Sequence, residues 1–161
     1  MTGERIRDKV AASKKKGMWM GGYVPLGYDL DNRQLVVNQE EAEAVRRIFS
    51  LYIDTKNVTV LYDRLKNAGI RSKVWTSIPG REFGGAVLSR GTLYHLLNSP
   101  IYIGKIIHKG VLHDGQHEAI IDIETWNRAA ALLKENRVTR RNRHNLPSGR
   151  MLYGKLISPD G

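Results

Sequence analysis

Four stretches of this sequence place apolar residues at the i, i+3, i+4 spacing of a helix face, and each is too short to hold its shape alone. Ala42, Val45, Ile48, Phe49 and Tyr52 predict a helix over Gln39–Ile53, opened by Asn38 as cap with Glu40 and Glu41 in its first turn. Val58, Leu61, Tyr62, Leu65 and Ala68 predict a second, stopped by Gly69. Leu93, Leu96 and Leu97 predict a third over Arg90–Asn98, capped by Ser89 and ended by Ser99-Pro100. Ile123, Trp126, Ala130 and Leu133 predict a fourth from Ile123 to about Asn136, with Asp122 as cap. Isolated helices below about 12–15 residues are marginal in water, so these must bury their apolar faces on one another. The expected fold is mainly α.

The remaining segments fit around such a bundle. Residues 3–16 suit the end of a helix stopped by Gly17, and the glycine-rich stretch that follows reads as a compact loop with an extended piece at Gln34–Val37. There Met18, Trp19 and Met20 read as packing residues. From Ile70 to Leu88 periodicity vanishes, which predicts an irregular basic loop longer than a small domain ordinarily keeps without a use for it. Tyr102–Gln116 alternates apolar residues with turn signals at Lys109-Gly110 and Asp114-Gly115, which predicts a small β hairpin.

Composition narrows the chemistry. The 161 residues suffice for one domain and an appendage. With no cysteine, thiolate zinc sites, iron–sulfur clusters and cysteine nucleophiles are excluded. No apolar run reaches the roughly 20 residues of a membrane span, and with no apolar leader the chain reads as cytoplasmic. Lysine and arginine number 26 against 16 acidic residues, a net charge of +10 that calls for a polyanion. The excess is concentrated: residues 1–16 hold six basic and two acidic side chains, residues 64–109 eight and one, residues 134–150 six and one. Trp75, Phe83 and Tyr94 are interleaved with the cations of the middle block.

A nucleic acid is the polyanion this pattern fits. A short capped helix follows a helix that ends on glycine, a helix-turn-helix-like order with a loop of about twenty residues in place of the usual short turn. Arg90, Thr92, Tyr94 and His95, near the start of the third helix, are the candidates for reading base edges. Arg71, Lys73, Arg81, Lys105 and Lys109 are candidates for phosphate contacts, as are Lys14, Lys15 and Lys16 in the first block and Arg140, Arg141 and Arg143 in the last. Other chemistries find less support. His108, His113 and His117, with Asp114 and Glu118, match no recurrent zinc spacing, and no metal or other cofactor is expected. Ser13, Ser50, Ser72, Ser77 and Ser89 stand in no array of arginines that would activate a nucleophile. Tyr102-Ile103-Gly104 matches the tripeptide that GIY-YIG nucleases carry on a strand, but the likeness covers three residues.

The ordered series of segments is more specific. ERIRDKVAASKKKGMWMGGYVPLGYDLD, EAEAVRRIFSLYI, VTVLYDRLKNAGIRSK, SRGTLYHLLNSPIYIGKIIHKG, HEAIIDIETW and RVTRRNR resemble, in order, the recombinase domain of large serine recombinases. The resemblance implies a domain that binds an attachment or resolution site in double-stranded DNA. It places the nucleophilic serine in a resolvase-like domain N-terminal to this segment, so this chain is expected to recognise DNA without cutting it, and self-association is expected to lie in that catalytic part. It further implies that Arg90–Asn98 docks in the major groove, that the Arg71–Arg81 loop and a strand over Tyr102–His108 flank it, and that the Glu4–Lys16 helix follows the backbone toward the crossover. Many members continue into a cysteine-held zinc ribbon, which MLYGKLISPDG does not supply. The expected organisation is thus the end of a connecting helix over 1–16, a DNA-binding domain over 17–136 and a basic linker over 137–161. An RNA-binding or transcription-regulating module is the alternative that charge alone leaves open.

Overall fold

The computed structural model describes residues 2–77 and 80–144. Among these the chain forms five α-helices and three separate two-stranded antiparallel sheets. Helix α1 (Thr2–Lys15) stops at Gly17, whose φ of +75° is the left-handed conformation that glycine adopts at no steric cost. Strands β1 (Tyr28–Asp31) and β2 (Gln34–Val37) close over Asn32 and Arg33, both at positive φ, so the expected loop is a tight hairpin. Helix α2 (Gln39–Thr55) runs two residues past the expected end to a left-handed cap at Lys56. Helix α3 (Val58–Asn67) closes with the Ile70 amide bonded to the Leu65 carbonyl across Gly69.

The four amphipathic stretches pack on one another, but two residues expected inward are exposed, Ala68 at the end of the second and Ile123 at the start of the fourth, where Ala129 is buried and Ala130 only partly so. Helix α2 lies against α3 and α5, and α4 (Arg90–Asn98) against α3 and α5. Val45, Ile48, Phe49 and Tyr52 of α2 are fully buried with Leu61 of α3, Leu93 and Leu97 of α4 and Ala129 of α5. No helix among the described residues is long and apolar enough to cross a membrane.

Three expectations change. The 70–88 segment is no irregular loop: Trp75–Thr76 (β3) pairs with Glu82–Phe83 (β4), and Arg71 bridges Val87, which makes a finger between α3 and α4. The hairpin of β5 (Lys105–His108) and β6 (Val111–Asp114) turns at Lys109-Gly110 as expected, but Tyr102 and Ile103 lie in a one-turn 3₁₀ helix, Pro100–Ile103, ahead of it. Helix α5 (Ile123–His144) does not stop near Asn136. The stretch expected to begin a linker at residue 137 continues the helix, because no proline or glycine interrupts it before Pro147. Asn136 ties this helix to the end of α2, donating to the Lys56 carbonyl at 2.7 Å and to the Tyr52 hydroxyl at 3.3 Å.

His117 is buried where the β5–β6 hairpin meets the bundle. Its ring stands edge-on to Tyr28 at 5.3 Å, and its Nε2 is 2.7 Å from the Ile101 carbonyl, which it meets as an N–H donor in the neutral ring. Burial lowers its pKa from the ordinary 6.5, against the opposing pull of that carbonyl. Below that value the unfolded chain takes up a proton that the folded chain refuses, so stability is lost as pH falls from about 6.5 toward the depressed folded value. The thermal midpoint should therefore fall between about pH 7 and pH 5. His117→Gln should flatten this slope, and a midpoint equally pH-dependent in both proteins would contradict the assignment.

Candidate nucleic-acid interface

Helix α4 is built to show one face. Ser89 caps it, its Oγ accepting from the Thr92 amide at 3.1 Å and lying 2.9 Å from the Thr92 hydroxyl. With Leu93, Leu96 and Leu97 turned into the core, the helical repeat puts Gly91, His95 and Asn98 at the centre of the opposite face. All three are exposed. A Cβ on Gly91 would meet nothing nearer than the Ser89 Oγ at 3.8 Å, so packing does not demand glycine there. The bare position leaves the start of the helix open to close approach from outside.

The four expected base readers are all exposed, but they stand on different sides of α4. Thr92 and His95 form one wall of a groove whose other wall is Trp19, Tyr23, Ser72 and Lys73. Arg90 lies toward α3, beside Thr59, Tyr62 and Asp63. Tyr94 and Asn98 line a cleft with Leu133, Asn136 and Arg137 of α5.

Among the phosphate candidates, Lys73 is corrected. Its Nζ lies 2.6 Å from Asp29 Oδ1 and 2.8 Å from Glu41 Oε2, with its side chain only 10% exposed. Burial opposes its charge, yet the two carboxylates outweigh that cost and leave its pKa raised. The ammonium fastens the finger to β1 and α2 and is not presented to a ligand. Glu41 also accepts from the Gly27 amide at 3.0 Å, and Asp29 from Asn38 at 2.8 Å, so the cluster is hydrogen-bonded on several sides.

The other cations stand nearer the surface. Arg71 is exposed with its Nη1 bonded to the Gly85 carbonyl at 3.2 Å. Arg81 is exposed and lies 5.4 Å from the centre of the Phe83 ring. Lys105 is partly exposed and pairs with Asp114 at 2.8 Å, a bond that holds the Asp114 carboxyl below its usual pKa. Lys109 is exposed on its turn, Lys16 is exposed, and Lys14 is half-buried. The side chains of Lys15, Arg140, Arg141 and Arg143 lie outside the described residues.

The YIG reading loses its geometry. Tyr102 is buried at 2% exposure between Tyr28 and Phe49, off any strand, and its carbonyl accepts from the Ile120 and Ile121 amides. The YIG reading needs this tripeptide on a strand, so it fails. Among the described residues no three histidine or carboxylate side chains gather as a metal cage. Ser89 is engaged as a cap, Ser72 accepts from the Ala86 amide, and Ser77 donates to the Arg81 carbonyl.

Sequence reasoning missed Gly91 and Asn98, which the leucine spacing of α4 already placed opposite the core. It also missed Tyr23, whose sequence neighbourhood says nothing of the finger it meets.

Comparison with known proteins agrees with this fold. The chain superposes with a TM-score of 0.67 at 23% identity on a structure described as an LSR–DNA complex, over 81% of this chain and 39% of that one. A second match, described by the sequence requirements of the Listeria innocua prophage attP site, has a TM-score of 0.65 at 23% identity, over 81% of this chain and 51% of that one. The chain therefore spans about half or less of each of these structures. No curated protein matches it. The family model described as Recombinase matches residues 39–136. That match takes in more than half of the sequence, from α2 into α5, and the chain belongs to the Recombinase family.

Proposed function

We propose that this chain is the part of a serine site-specific recombinase that recognises double-stranded DNA, with α4 as the reading helix. The observation that carries this is the exposed, serine-capped face of α4 set within a block that, with Lys73 set aside, holds seven basic side chains and one acidic. Thr92 and His95 are assigned to base edges on one flank, Arg90 and Tyr94 to the other; Arg71, Arg81, Lys105 and Lys109 are assigned to phosphates. The likeness to structures described by DNA and by an attP site supports the same partner. Strand cleavage is assigned to a resolvase-like part of the parent protein, since the described serines nearest the basic finger serve as caps and turn bonds.

Binding to a duplex should fall steeply with salt, because each neutralised phosphate releases a counterion. With about four phosphate contacts, affinity should drop about 150-fold between about 50 and 200 mM salt, measured by fluorescence anisotropy. Lys105→Ala should weaken all sequences alike and lower the salt slope by about one, whereas Arg90→Ala should relax preference at one position of a selected site. Affinity indifferent to salt would count against the proposal, as would selection of structured RNA over a random duplex pool.

A further inference from the structure

Next to α4 stands an apolar feature that cation counting does not explain. Tyr23, Trp75 and Phe83 keep 53%, 41% and 40% of their surface exposed. Trp75 and Phe83 are direct cross-strand partners with rings stacked at 4.8 Å, and Tyr23 meets Trp75 edge-on at 6.3 Å. The Arg81 guanidinium over Phe83 extends the row. Tyr23 also walls the groove that holds Thr92 and His95, so the row is continuous with the α4 face. A two-stranded finger is weak by itself, yet this one is held at its base by Lys73 and by Gly84, where a Cβ would run into the Lys73 carbonyl. The fold thus fixes a finger whose large rings it leaves half in water. Contiguous aromatic surface beside arginine is typical of contact surfaces.

Resting on the proposed DNA-binding role, we infer that the Tyr23–Trp75–Phe83 ridge is a second DNA-contacting element, packing on deoxyribose and thymine methyl groups beside the α4 site. Charge selects the partner: Arg71 and Arg81 are exposed on the same finger, within a segment of eight basic residues and one acidic. Apolar contact of this kind is part of base readout, and it adds affinity that counterions do not screen.

The test uses the intact chain and a mixed-sequence duplex of about 30 base pairs. Trp75→Ala and Phe83→Ala should each weaken binding about tenfold without changing the slope of log affinity against log salt, and Trp75→Tyr should recover most of the loss. Acrylamide quenching of the emission that Trp75→Phe removes should diminish when duplex is bound. Amide exchange at Gly85 checks that the finger stays closed in the alanine variants. Alanine variants that bind like the intact chain, or a Trp75 equally quenchable at saturating duplex, would overturn the ridge while leaving the α4 reading in place. Unchanged DNA affinity with lost self-association would show a protein contact instead and overturn it too. An intact chain that binds no duplex would bring down both.

Discussion

Lys73→Ala is expected to lower the free energy of unfolding by about 2–3 kcal/mol and to leave the salt slope of DNA binding unchanged. Truncation removes the cation from between Asp29 and Glu41 and leaves two carboxylates facing each other across its place. Breaking a fully buried pair costs about 3–5 kcal/mol; here Asp29 is half-exposed and water can take over part of the solvation, which sets the smaller figure. Lys73→Met retains the packing and loses the charge, so most of the loss should persist in it. The pH profile separates this role from a generic one. Lys73 is raised above 10.5, so its contribution is present below that value and lost as pH rises through the folded pKa. Asp29, held below 3.8 mainly by its bond to Lys73, contributes above 3.8 and loses its share as pH falls through its folded value. Urea unfolding of both proteins across pH, with salt titrations of DNA binding, decides the matter. A slope reduced by about one in Lys73→Ala would return this lysine to the phosphates.

Gly84→Ala should open the finger without unfolding the bundle. Gly84 has φ +96°, and an added Cβ would meet the backbone of Lys73 and Val74, which cannot swing aside as a side chain can. The amides that close the base of the finger, Gly85 onto Ser72 at 3.1 Å and Ser72 onto Ala86 at 2.8 Å, should exchange with solvent about 100-fold faster, corresponding to strain of about 2.7 kcal/mol. Amides of α2 should keep their protection, since the strands and tip of the finger put no side chain into the core, where only Leu88 and Ile70 at its two ends pack. Gly80→Ala is the control: its φ is +83° but the space around it is open, so it should suffer backbone strain alone and a smaller acceleration. Equal exchange in the two variants would mean that the contact with Lys73 is not what sets the finger.

The parts of this fold legible in the sequence are those whose determinants are local. Ser89, three leucines and Ser99-Pro100 fix α4 within a dozen residues, and the structure has the same boundaries. Asn38 and Asn57 likewise cap α2 and α3 from next door. Strands of two residues carry no period, so the finger could not be seen. Lys73 read as a free cation because its partners lie 44 and 32 residues away. The tail of α5 looked like a linker because its charges carry no apolar period, although arginine is a good helix former. For the interface, sequence supplied the helix and its exposed residues but not which flank each one joins, since that depends on α3, α5 and the finger around it.

The finger is tethered at its root, and beyond its strands the Ser77 amide donates to the Arg81 carbonyl at 2.9 Å. Lengthening a loop of this sort costs only about 0.6 kcal/mol per doubling. The tip can therefore drift in length and composition while the bundle beneath it stays fixed. If the ridge touches DNA as inferred, a lineage or an engineer has in this protrusion a place to retarget the protein by grafting.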